Sequence, residues 1–177
     1  AAQRSLIATL SPHRIELVTD LDIAGMAWPE RAGLPQAPIY EHRAPYAVQS
    51  RSSKLEATRA AMRRAGASHH FISTLDDIAY LFNLRGSDVS YNPVFVAHAL
   101  IDLEDATVFT TAGKISAELQ TALASEGIKT ADYAQAKAAL VALPTQAKLL
   151  IDPRRISFGL KQAIAPSVKI IEQINPT

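Results

Sequence analysis

The chain has 177 residues, 48% of them hydrophobic, and sets 18 basic against 17 acidic side chains for a formal charge of +1. That length and apolar content suit one domain with a buried core and exclude a disordered chain. Balanced charge excludes a typical nucleic-acid binder, the apolar runs fall short of the roughly 20 residues a bilayer span needs, and the absence of cysteine removes disulfides and thiolate metal sites.

The N-terminal stretch AAQRSLIATLSPHR has neither the charged start nor the long apolar segment of a signal peptide, and with no cysteine the expected location is the cytoplasm. A short helix is predicted over residues 2 to 9 and a strand at Ile15-Glu16-Leu17-Val18, too little to close a core. Pro29, Pro35, Pro38 and Pro45 then recur around the only tryptophan, Trp28, and proline that dense favours extended chain. Residues 1–48 therefore read as the tail of a preceding domain plus a proline-rich connector, and residues 49–177 as the folded domain.

Within that domain Ser53-Lys54-Leu55-Glu56 has the form of a capping box, Leu55, Met62 and Ala65 share one helical face, and Gly66 is placed to end the helix. His69 to Ser73 reads as a strand. Thr74 with Asp77 opens a second helix whose apolar face is Leu75, Ile78, Leu81 and Phe82. Strands over Val94 to Ile101 and Thr107 to Thr110, separated by the acidic turn 102–105, form a predicted hairpin. Ile115, Leu119 and Leu123 mark a helix ended by Gly127, and Tyr133 to Leu143 another ended by Pro144. Lys148 to Ile151 is a strand, 156–164 a helix and Val168 to Ile171 a strand. The alternation predicts an α/β domain, a mixed β-sheet with helices on both faces.

Few motifs carry chemistry. No G-x-S-x-G elbow and no glycine-rich phosphate loop occurs. The pair His69-His70 lies on a strand, where neighbours point to opposite faces and cannot easily hold one metal ion, and His98 in an apolar strand reads as a hydrogen-bonded core residue. Asp76 and Asp77 suit the positive end of a helix. The residues assign no catalytic group and no metal ligand. What stands out is a polar cluster after the second helix, Asn83, Arg85, Asp88 and Asn92, gathered around Gly86 and Pro93. Arg85 could grip a carboxylate or a peptide carbonyl, or pair with Asp88 and stiffen the turn.

The run TLDDIAYLFNLRGSDVSYNPVFVAHALI, Thr74 to Ile101, closely resembles the middle domain of three-domain Xaa-Pro aminopeptidases, of the creatinase/prolidase N-terminal type. The likeness extends more loosely from Trp28 through SKLEATRAAM to Pro166 and the last strand. It implies a proline-directed exopeptidase whose pita-bread catalytic domain, following Thr177, would hold two divalent metals, commonly Mn2+, through two Asp, one His and two Glu. No part of this sequence matches that ligand set. The resemblance thus implies a non-catalytic domain that shapes substrate access, packs beside its own catalytic domain and contributes to a homodimer. It places Asn83, Arg85, Asp88 and Asn92 on the cleft that receives the Xaa-Pro peptide. The alternative is a stand-alone α/β module that binds a peptide or small ligand without hydrolysing it.

Overall fold

The computed structural model describes residues 2–177, which divide after Leu34 into two compact units. The first contains α1 (Ala2–Leu10), a single 3-10 turn and α2 (Ile23–Ala27), the latter capped by Asp22, whose carboxylate accepts from Gly25 N at 2.9 Å. The strand expected at Ile15–Val18 does not form; those residues are irregular, with Leu17 half-buried and the others exposed, and no neighbouring strand pairs with them. No described side chain of this unit is buried, and Trp28 is 65% exposed. So short a segment cannot supply a core of its own.

The second unit begins at Pro35, so residues 35–48, read from sequence as connector, pack with the α/β domain. Ile39 is buried and its N–H meets the carbonyl of Lys114 at 2.8 Å. In chain order the elements are β1 (Tyr40–Glu41), α3 (Arg51–Arg64), β2 (His69–Ile72), α4 (Leu75–Leu81), β3 (Leu84–Arg85), β4 (Ala97–Asp102), β5 (Ala106–Thr110), α5 (Ala117–Ser125), β6 (Ile128–Asp132), α6 (Gln135–Val141), β7 (Lys148–Ile151), α7 (Phe158–Gln162) and β8 (Lys169–Glu172). Six strands form one sheet in the order β6-β5-β4-β2-β7-β8, and β1 pairs antiparallel with β3 in a separate ribbon. In the large sheet β4 runs antiparallel to both neighbours, β2 and β5, while the other pairings are parallel. The β4–β5 hairpin is the one predicted.

Period-two alternation divides the sheet's side chains between two cores. Ile72, Ala99, Ile101, Val108 and Leu150 face α3, α4 and α5, contributing to a core with Leu55, Met62, Ile78, Leu81, Leu119 and Leu123. Phe71, Phe109, Leu149 and Ile151 face the other way, toward Ala136, Leu140 and Leu160 of α6 and α7. Helices therefore cover both faces, as expected. The two adjacent histidines do diverge: His70 is fully buried with Nδ1 3.0 Å from the Leu150 carbonyl, and His69 is half-buried beside Ser68.

Local boundaries differ in instructive places. The N-cap of α3 is Ser50, whose hydroxyl accepts from Ser53 N at 3.2 Å, so the expected capping serine Ser53 lies inside the first turn and Glu56 instead pairs with Arg63. The strand expected from Val94 starts at Ala97, because the backbone of 93–94 turns back to bond Gly86 and Asp88. Strand β6, Ile-Lys-Thr-Ala-Asp, was not expected: it is a half-polar edge strand, and the following helix starts only at Gln135.

Candidate functional site

The polar cluster is organised by the ends of α4. This helix stops where Asn83 takes a left-handed backbone, φ +49°, and its last carbonyls need donors that the helix itself cannot supply. Two cations provide them. Arg85 Nη1 donates to the carbonyls of Ala79 at 2.7 Å and Leu84 at 2.9 Å. Lys54 Nζ, buried on α3, donates to the carbonyl of Tyr80 at 2.8 Å and to Asn83 Oδ1 at 2.6 Å, and lies 3.8 Å from the centre of the Tyr80 ring. Positive charge here complements the negative end of the helix dipole. Burial, and secondarily the nearby Arg85, lowers the Lys54 pKa. Asn83 completes the junction, donating through Nδ2 to the Gln49 carbonyl at 2.8 Å.

The chain then folds on itself between Gly86 and Val96. Gly86 N bonds the Pro93 carbonyl and Asp88 N the Val94 carbonyl, at 3.3 and 3.2 Å. Arg85 and Asp88 do not form the pair that sequence left open. The Asp88 carboxylate turns inward, where Oδ2 accepts from Val96 N at 2.6 Å and pairs with Lys114, both side chains being fully buried. Asp88 and Arg85 thus have separate partners: the interior offers Asp88 the Lys114 ammonium, and Arg85 is engaged by two carbonyls. Asn92 donates to Asp76 Oδ1 at 3.2 Å, at the opposite end of α4. Tyr91, at the tip, has φ +62° and is fully exposed.

Of the four expected residues, Asn83 and Arg85 meet at the C-terminal end of α4, Asn92 sits at its N-terminal end and Asp88 is interior. Asn83 alone among them lines the adjoining cleft of about 290 Å³, with Glu41, Arg43, Gln49, Arg51 and Glu126. Arg51 is buried, pairs with Glu41 and lies 3.3 Å from Glu126 Oε1. Burial pushes the Glu41 carboxyl up, and Arg43 and Arg51 together more than reverse it, so its pKa is lowered overall. Sequence reasoning missed Lys54, Arg51 and Lys114. The first two were within reach: extending the Leu55–Met62 stripe of α3 back by four residues lands on Arg51, and Lys54 borders it. Lys114 sits in a loop with no periodicity to betray it.

Among the described residues no three His, Cys, Asp or Glu side chains converge as a metal site would require. A family model, the Creatinase/Prolidase N-terminal domain, matches residues 30–177. The chain belongs to this family. A probable Xaa-Pro aminopeptidase P of Botryotinia fuckeliana is 30% identical over 163 residues, covering 88% of this chain and 25% of the relative. Xaa-Pro aminopeptidase 1 of Dictyostelium discoideum is 36% identical over 126 residues, 71% of this chain and 20% of its own. The chain thus spans about a quarter or less of the length of these relatives. Its fold superposes on X-prolyl aminopeptidase from Caenorhabditis elegans with a TM-score of 0.85 at 16% identity, over 98% of this chain and 29% of that one. The worm protein is described as a cytosolic enzyme with a di-nuclear active site. The carboxylates and histidines of the present domain do not fit such a centre, since no three of them converge among the described residues. No helix among the described residues is long and apolar enough to cross a membrane.

Proposed function

We propose that this domain is the non-catalytic partner of a metal-dependent Xaa-Pro aminopeptidase domain, and that it forms one wall of the entrance used by peptides with proline in second position. The observation that carries the reading is the likeness to aminopeptidase P relatives along 88% of the chain, at 30% identity, in a segment whose described residues gather no metal-ligand set. In this reading the two divalent ions, Mn2+ in the simplest case, belong to the remainder of such a protein. Asn83, Arg85, Asp88 and Asn92 border the peptide's path: Arg85 and Asn92 by contact, Asn83 and Asp88 by holding the turn in shape. The exposed side chains of Tyr46, Val48, Tyr80 and Tyr91 support it, as apolar surface that a neighbouring domain or a second protomer can cover. A cytoplasmic location and a homodimer complete the proposal.

The test has two arms. The 177-residue chain, supplied with Mn2+ and a peptide beginning Xaa-Pro, is expected to release no N-terminal residue, and turnover by the chain alone overturns the reading. In a protein that joins this domain to a segment with the two-Asp, one-His, two-Glu set, Arg85→Ala is expected to lower kcat/KM by about tenfold or more, corresponding to at least one lost charge-assisted contact. Unchanged kinetics remove Arg85 from the peptide's path.

A further inference from the structure

Five strands of the large sheet, β2, β5, β6, β7 and β8, run in one direction, and only β4 opposes them. From β5 the chain crosses to β6 through α5, on the face holding Leu119 and Leu123; from β7 it crosses to β8 through α7, on the opposite face with Leu160. Connections that diverge to opposite faces open a crevice between them, outside the carboxyl ends of the strands, and open α/β sheets bind ligands there. In this sheet the divergence falls at β4 and β2. Beside that position, on the face of the sheet covered by α6 and α7, a cavity of about 320 Å³ opens, lined by His98, Tyr133, Lys137, Ser157 and Leu160 together with small alanines.

His98, the second residue of β4, is buried. Its ring stacks on Tyr133 with centroids 4.8 Å apart and an interplanar angle of 26°, and packs on Phe71 at 5.4 Å. Nδ1 lies 3.1 Å from the Ser73 hydroxyl, which leaves Nε2 as the nitrogen available to a ligand. Burial holds its pKa down at about 4, so at neutral pH it offers a hydrogen bond without a charge. Burial also raises the Tyr133 pKa, keeping that phenol protonated. Lys137 is exposed on α6 and brings an ammonium to the rim. The two cores place this crevice on the face opposite α3, α4 and α5, so it is separate from the cluster around α4.

We infer that this crevice is a second ligand site, which takes a small monocarboxylate carrying one planar or branched apolar group. The His98–Tyr133 stack and Leu160 give a flat apolar floor, Lys137 pairs with the carboxylate, and the neutral imidazole fixes orientation. A volume at the small end of the roughly 300–1,000 Å³ usual for ligand sites limits the body to about one ring. One rim cation over an apolar floor suits a monoanion better than a phosphate. The inference does not depend on the peptidase reading.

The chain is titrated with benzoate, and with benzamide as its neutral counterpart, while backbone amide and histidine ring resonances are followed by NMR. Saturable shifts are expected at His98, Tyr133 and Lys137 and not at Arg85 or Asn92. Affinity is expected to fall about tenfold both for benzamide and in Lys137→Ala, the scale of one charge-assisted contact. Because Lys137 is exposed, that variant keeps the fold, and an unchanged amide spectrum elsewhere verifies it. Shifts that never saturate, shifts confined to the α4 cluster, or equal affinity in Lys137→Ala each overturn the proposal.

Discussion

Asp88 and Lys114 form an ion pair from which solvent is wholly excluded, tying the 86–96 turn to the loop between β5 and α5. The same Asp88 oxygen accepts from Val96 N, so the pair also fixes where the chain enters β4. Removing one member of a buried pair strands the other without compensation and costs roughly 3–5 kcal/mol. Lys114→Met is therefore expected to lower the unfolding free energy by about that amount in urea titrations, and adding Asp88→Asn to it should restore a large part. A single-variant loss below about 1 kcal/mol, the range of exposed pairs, contradicts this assignment.

Arg85 has a structural duty that a free cation on a turn lacks. One of its bonds caps the Ala79 carbonyl at the C-terminal end of α4, where Lys54 closes the neighbouring carbonyl, and the other meets the Leu84 carbonyl in β3. Arg85→Ala leaves both acceptors short of a donor, and a loss of about 1–3 kcal/mol is expected. Faster amide exchange confined to α4 and β3 would accompany it. A variant as stable as the parent would show that water replaces the guanidinium at no cost.

Gly86 is needed for close approach rather than for an unusual backbone angle. A Cβ there would lie 2.8 Å from the Phe95 Cβ and 3.3 Å from the Val94 carbonyl oxygen. Gly86→Ala should cost about 1–3 kcal/mol, as overpacking of a core does. Gly159, in α7, meets nothing within 4 Å, and Gly159→Ala should be neutral or stabilising by up to about 1 kcal/mol. Comparing the two midpoints in one denaturation series checks the contrast.

Periodicity carried most of the fold. The stripes through Leu55 and Met62, Ile78 and Leu81, and Leu119 and Leu123 all proved to be core, and the hairpin β4–β5 followed from its acidic turn. Strand β6 escaped because an edge strand buries little: Lys129 and Asp132 are exposed, and no apolar run announced it. The strand expected at Ile15 failed for the converse reason, since apolar residues alone make no strand without a partner edge. The turn after α4 was legible from Gly86 and Pro93, and the contacts of Asn83, Arg85, Asp88 and Asn92 were not. Which side chain meets Asp88 depends on Lys114, 26 residues further on, and that long-range pairing is tertiary information no local pattern holds.

The same tertiary burial makes His98 a probe of acid sensitivity. Burial lowers its pKa from an ordinary 6.5 to about 4. Between those values the unfolded chain binds a proton that the native ring refuses. Stability from this residue is therefore complete above about pH 6.5 and declines as pH falls toward 4, by at most about 1.4 kcal/mol per pH unit. His70, also lowered chiefly by burial, contributes with the same sign. In urea titrations between about pH 7.5 and 5, above the range where most carboxylates titrate, the parent chain should lose more stability than His98→Gln, which cannot take up a proton. The His98 ring resonance should itself remain that of the neutral form down to about pH 5. Equal slopes for the two chains, or a ring that titrates near 6.5, would mean that water reaches the imidazole and that the stack on Tyr133 does not shield it.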